Sequence, residues 1–171
     1  MSEKTQSSKY KVLPKVAEKR VVKLNEGSAK ARRSAARLAA VQVLYQMALS
    51  GHDAKTALRD FINHRIGFEL DGDTFVPADR DLLTAIVQGC VDMQDNIQDI
   101  LKGQLAKKNK DTIDPVLEAV LQAGIFELLA HPDIDAPIII SDYMNVTHAF
   151  YEDGAPKMIN AILDHVATSL R

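Results

Sequence analysis

The sequence has one cysteine and no tryptophan. A lone Cys90 cannot form an intramolecular disulfide or supply a thiolate-rich zinc site, so we expect a protein of a reducing compartment, the cytoplasm. No apolar run approaches the length of a membrane helix, and the N-terminal MSEKTQSSKYK lacks the apolar middle of a secretory signal. These absences argue against disulfide-stapled secreted scaffolds and membrane proteins.

The short motifs of common catalytic and nucleotide sites are also missing. The sequence contains no glycine-rich phosphate loop, no nucleophile elbow and no His-Glu-x-x-His motif. Its five histidines are scattered, and none stands at ligand spacing from another histidine or from Cys90. We therefore expect no catalytic residue, no metal site and no cofactor.

The net charge of −2 over 171 residues conceals a strong asymmetry. Residues 1–37 contain eleven Lys and Arg against three Glu, a net of +8, whereas the remaining residues contain ten basic against twenty acidic residues, a net of −10. Basic arms of this kind bind nucleic acid, because each phosphate contact releases condensed counterions. The alternatives are a solubilising tail and an arm that folds back on its own acidic body.

Periodicity divides the chain into a tail and one all-α domain. Residues 1–27 are rich in Lys, Ser and Glu and keep no sustained apolar period, which predicts a flexible, disordered basic tail. Residues 28–171 are predicted to form a domain of six or seven helices, since no alternating strand pattern of useful length appears. At 46% hydrophobic residues the chain can bury a core of its own.

Capping and stop signals predict where these helices begin and end. The predicted helices run from Ser28 to Gly51, from Asp53 to about His64, from Pro77 (with Asp79 or a nearby residue as cap) through Cys90, and over about Pro115–Ala130, Pro137–Phe150 and Pro156–Leu170. The third helix either continues past Gly89 or breaks there. Residues 66–77 are predicted to be a loop that turns at residues 71–73, and another turn is expected at residues 152–154.

The start of the first helix carries the candidate binding residues. Lys30, Arg33 and Arg37 recur at steps of three and four residues, so they share one helical face, and Arg32 is adjacent. Gln42 and Tyr45 lie further along the same helix. Cations, an amide and a ring are suited to the phosphates, base edges and base faces of single-stranded RNA. The alternative is a solvated arginine face with Tyr45 as a core residue.

Three ordered blocks of this sequence resemble the NusB family of bacterial transcription antitermination proteins. ARRSAARLAAVQVLYQM is similar to the family's arginine-rich N-terminal helix, and LEAVLQAGIFELL to its Leu-Arg-x-Ala-x-Tyr-Glu-Leu helix. APIIISDYMNVTHAFYEDGAPKMINAILD is similar to its Pro-x-x-Val-x-Ile-Asn-Glu helix with the turn and helix that follow. The resemblance covers about residues 29–171.

The resemblance implies two small three-helix bundles without enzymatic activity. It implies binding to the boxA RNA of nascent ribosomal RNA transcripts together with the ribosomal protein NusE, within the RNA polymerase antitermination complex that reads through terminators. Matching positions place Lys30, Arg32, Arg33, Arg37, Gln42 and Tyr45 on the RNA side. The same resemblance adds Phe150 and Lys157, which flank a turn, although a core position is the alternative for Phe150.

The sequence departs from the family pattern at three places, and other functions stay open. The family's Asn-Glu, Phe-Gly and Lys-Phe pairs appear here as Ser141-Asp142, Phe150-Tyr151 and Lys157-Met158. One alternative is the helical domain that precedes the catalytic domain of certain ribosomal RNA methyltransferases, which would require a following α/β domain. Another is an interaction module that never touches RNA. Both a monomer and a homodimer are compatible with the sequence.

Overall fold

The computed structural model describes residues 27–64, 69–70, 73–74, 76–152 and 154–171. Within these ranges the chain forms seven helices: α1 (Ala29–Ser50), α2 (Ala54–His64), α3 (Arg80–Asp92), α4 (Gln94–Lys107), α5 (Pro115–Ala130), α6 (Ala136–His148) and α7 (Ala155–Leu170). The all-α prediction is confirmed. Of the predicted flexible tail, residues 1–27, all but Gly27 lie outside the described residues, as does Asp153 in the predicted turn.

The segment predicted to be a loop contains a minimal hairpin. Strands β1 (Glu69–Leu70) and β2 (Asp73–Thr74) pair antiparallel, with Glu69 opposite Thr74 and Leu70 opposite Asp73. Strands of two residues are too short to show an alternating pattern, so they could not be predicted from the sequence. The middle of the predicted turn, residues 71–72, lies outside the described residues.

The helix starts follow the capping chemistry of the sequence. The Ser28 side chain accepts a hydrogen bond from the Ala31 amide at 3.1 Å, and the Asp79 carboxylate accepts one from the Leu82 amide at 3.1 Å. Asp114 accepts from the Val116 amide at 2.9 Å, with a proline in the first turn of α5. At the other end of α1, Gly51 takes the left-handed conformation that favours glycine, with φ of 70°.

The helices form two three-helix groups around one shared core. Helices α1, α2 and α3 pack on one another, as do α5, α6 and α7, while α1, α3 and α4 also pack on α5. Ten of the 16 residues of α5 are buried, because this helix is apolar on nearly every side and lies between the two groups. The predicted pair of bundles is confirmed, with α4 as the seventh helix against α5.

The boundary between α3 and α4 falls at Met93 rather than at Gly89. Gly89 lies within α3, where a Cβ atom would stand 2.1 Å from Cε2 of Phe126. The missing side chain therefore lets the Phe126 ring approach α3 closely, which joins α3 to α5. The glycine serves packing, and the helix continues past it to Asp92.

The last residue closes the end of the central helix. The Arg171 guanidinium donates hydrogen bonds to the carbonyls of Leu128 at 3.3 Å and His131 at 2.9 Å, and also to the carbonyl of Ile134. The final carbonyls of a helix have no partner within the helix, so a cation there satisfies hydrogen bonds and complements the helix dipole. This contact ties α7 to the connection between α5 and α6.

Candidate nucleic-acid interface

The first two turns of α1 extend beyond the core. Residues 29–35 include no buried residue, and burial in α1 begins at Ala36. Lys30 and Arg33 are exposed and Arg32 is half-buried. Three cations thus stand at one end of a body that is otherwise acidic.

Arg32 is held more firmly than its exposure suggests. Its backbone carbonyl accepts a hydrogen bond from the Asp79 amide at 3.0 Å, which fixes the start of α3 beside the first turn of α1. Its side-chain Nε atom is buried and has no hydrogen-bond partner among the described residues. The stem of this side chain is therefore packed, while the rest of the residue reaches the surface.

Arg37 is buried, and the expectation that it lies exposed towards RNA is wrong. It is 6% exposed, and its Nε and Nη2 atoms donate to the two carboxylate oxygens of Glu127 at 2.8 and 3.1 Å. Its Nη1 lies 3.0 Å from Oδ2 of Asp142. Arg37 does share a face with Lys30 and Arg33, but that face packs into the fold from Ala36 onwards. This face of α1 is accessible to a ligand only in the residues before Ala36.

The surroundings of Arg37 form a buried polar cluster of Arg37, Cys90, Glu127, Asp142 and Tyr143. Burial by itself would lower the pKa of the Arg37 guanidinium, but its hydrogen bond to Glu127 and the charges of Glu127 and Asp142 outweigh burial and raise this pKa. Burial, reinforced by Glu127, raises the pKa of the Cys90 thiol to about 12. The same two causes, burial first, raise the pKa of the Tyr143 phenol. Cys90 is therefore a neutral thiol at physiological pH, unsuited to nucleophilic chemistry.

Gln42 and Tyr45 are both half-buried on α1, and Tyr45 packs against the core. Part of the Tyr45 side chain is therefore buried in the core, as the alternative interpretation expected, and part of it remains exposed. Because a helix turns about 100° and rises about 1.5 Å per residue, Tyr45 lies about 60° around α1 from Lys30 and about 22 Å further along it, and Gln42 lies about 120° around from Lys30. The structure thus divides the predicted α1 residues between an exposed cationic start and a half-exposed stripe.

Phe150 and Lys157 flank the connection between α6 and α7, and both are exposed. Phe150 is 39% exposed, so the alternative of a core position is wrong. The neighbouring Tyr151 hydroxyl donates to Oδ1 of Asp114 at 2.7 Å, which anchors this connection to the start of α5. Phe150 and Lys157 therefore stand on either side of a connection that is tied to α5 through Tyr151. The buried contact of Arg37 with Asp142 links α1 to α6.

Sequence reasoning missed the partners of Arg37 and the neighbour of Arg32. Glu127 and Asp142 lie in α5 and α6, and no local pattern in the sequence pairs them with α1. Arg80 follows the predicted cap Asp79, but nothing in the sequence places that cap against Arg32. Among the described residues, no group of three or more His, Cys, Asp or Glu is arranged to hold a metal ion. In the same part of the chain, no helix has the length and apolar character needed to cross a membrane.

The fold and its cationic helix start define a class of small all-α proteins, in which two three-helix groups share a central helix. The sequence matches the NusB family over residues 34–168, and the chain belongs to this family. It is 39% identical over 150 residues to the transcription antitermination protein NusB of Rhizobium rhizogenes, covering 86% of this chain and 94% of that protein. It is 40% identical over 141 residues to the NusB of Rhodopseudomonas palustris, covering 82% and 83%.

Two solved structures share the fold at low sequence identity. The crystal structure of the antitermination factors NusB and NusE in complex with dsRNA superposes with a TM-score of 0.67 at 18% identity, covering 83% of this chain and 99% of that chain. A structure of T. maritima NusB gives a TM-score of 0.65 at 20% identity, covering 80% and 90%. At these identities the similarity concerns the arrangement of helices.

Proposed function

We propose that this chain is a transcription antitermination factor that binds the boxA RNA of nascent ribosomal RNA transcripts together with NusE and helps RNA polymerase read through terminators. Its relatives at 39–40% identity carry the name of transcription antitermination protein. A protein of the same fold was solved with NusE and dsRNA. The observation that carries the proposal is the exposed cationic start of α1 on an otherwise acidic body.

In this proposal each exposed group has a separate task on the RNA. Lys30, Arg32 and Arg33 contact phosphates, and the half-exposed Gln42 and Tyr45 reach base edges and a base face. Phe150 stacks on a base and Lys157 meets a phosphate at the turn between α6 and α7. Arg37 has no direct contact, since its guanidinium already binds Glu127 and Asp142. The factor acts by binding alone, without an enzymatic step, in the cytoplasm.

The test measures the salt dependence of RNA binding. Each single-strand phosphate contact contributes about 0.7 to the slope of log affinity against log salt. Replacing Lys30, Arg32 and Arg33 by Ala should therefore reduce the slope on a boxA oligoribonucleotide by about 2, while NusE is still bound. Fluorescence anisotropy over a salt series gives the slope, with a scrambled oligoribonucleotide as the sequence control.

A matched control removes three exposed cations elsewhere. Lys55 and Arg59 on α2 and Lys102 on α4 are exposed, so their replacement by Ala changes the net charge equally. This control should keep most of the slope. If the variant of Lys30, Arg32 and Arg33 instead retains wild-type boxA affinity and slope, the RNA-binding proposal fails and an RNA-independent interaction module takes its place.

A further inference from the structure

The starts of α1 and α3 meet at one end of the molecule. The hydrogen bond from the Asp79 amide to the Arg32 carbonyl, 3.0 Å long, joins the residue before α3 to the first turn of α1. Ahead of it, Gly27 lies so close to Val76 that a Cβ atom on the glycine would stand 2.7 Å from Cγ1 of the valine. The contacts of Gly27 with Val76 and of Arg32 with Asp79 therefore place the segment that leads into α3 alongside the start of α1.

This juxtaposition brings Arg80 to the cationic end of α1. Arg80 is the first residue of α3, and consecutive Cα atoms are about 3.8 Å apart, so its Cα lies within about 10 Å of that of Arg32. Its side chain is exposed, as are those of Lys30 and Arg33. No ion pair involves Arg80 within the described part of the chain.

We propose that Arg80 contributes a phosphate contact to the same surface, so that the RNA crosses the starts of two helices rather than one. This inference rests on the proposed function and extends its surface to α3. A cation that forms no ion pair with any described residue, and that lies at the same end of the molecule as three others, fits a polymer with one charge per nucleotide. RNA is thus the partner that this end of the molecule fits.

The neighbouring carboxylates leave the surface cationic. The Asp79 carboxylate accepts the Leu82 amide at 3.1 Å, so it is occupied as the cap of α3. Asp81 is exposed beside Arg80 and offsets one charge. Four cations against these two carboxylates leave an excess of positive charge.

The experiment compares Arg80→Ala with Arg59→Ala in the full chain, on boxA and scrambled oligoribonucleotides over a salt series. Arg80→Ala should reduce the salt slope by about 0.7, and Arg33→Ala with Arg80→Ala together by about 1.4, because each contact is separate. Arg80→Lys should keep the slope, since Lys binds phosphate as a point charge. Arg59 is an exposed cation on α2, and its removal should leave the slope unchanged.

The outcomes separate this inference from the proposed function. If wild type prefers boxA and Arg80→Ala leaves affinity and slope unchanged, the inference is wrong while the proposed function stands. If boxA and scrambled RNA bind equally and Arg80→Ala flattens both slopes, the inference holds and boxA recognition fails. Absence of RNA binding by wild type overturns both. Thermal melting checks folding, and Arg80→Gln, which also removes the charge, replaces any Arg80→Ala protein that does not fold.

Discussion

Arg37 illustrates, at the scale of one residue, that sharing a helical face with exposed cations does not make a side chain accessible. Its side chain is 7% exposed, and those of its partners Glu127 and Asp142 are 1% and 17% exposed. The role of Arg37 is therefore to stabilise the fold. The exposed Arg33, one helical turn earlier, belongs to the surface. The two arginines form a natural pair for an experiment.

Arg37→Ala should lower the free energy of unfolding by about 3–5 kcal/mol, because it leaves a buried carboxylate without its cation. Arg33→Ala should change it by less than about 0.5 kcal/mol, since an exposed side chain is lost and Ala is a strong helix former. Urea denaturation followed by circular dichroism measures both. Equal stability of the two variants would contradict the structural role assigned to Arg37.

Among the elements, helix starts were predictable from sequence and helix neighbours were not. Ser28 and Asp114 cap α1 and α5 at the helix starts predicted from the sequence, because capping depends on residues within one turn. The close approach of Gly89 to Phe126 and the burial of Arg37 depend on α5, which lies far along the chain. The candidate site followed the same division. Lys30 and Arg33 were found from local pattern, whereas Arg80 required knowledge that α3 starts beside α1.

The contact between α3 and α5 predicts opposite effects for two glycines in helix interiors. Gly89→Ala should destabilise the protein by about 1–3 kcal/mol, because the new Cβ would overlap the Phe126 ring. Gly103→Ala on α4 should stabilise it by about 0.4–1 kcal/mol, since that position is open and Ala restricts the unfolded chain. Thermal and urea unfolding give both values. A Gly89→Ala protein as stable as Gly103→Ala would show that α3 does not approach α5 in this way.

For the whole molecule, the division between arm and body can be tested by deletion. Removing residues 1–26 should leave helical content and melting temperature essentially unchanged, because the apolar residues of this segment keep no helical or strand period. RNA affinity should fall modestly on boxA and scrambled RNA alike, and the difference should vanish at high salt. Circular dichroism and anisotropy measure these effects. A large drop in melting temperature would place the segment in the core.

The ion pair between Arg37 and Glu127 joins positions 90 residues apart, which sets an order of events during synthesis. At about 5–20 residues per second, roughly 5–20 seconds separate the translation of the arginine from that of the glutamate. During this interval the Arg37 guanidinium has no Glu127 with which to pair, and α1 has no α5 on which to pack. A nascent chain carries its cations from the beginning, but it presents them in their final arrangement only after the second half has emerged. Prematurely terminated chains would therefore carry the cations that attract RNA but lack the folded arrangement of those cations.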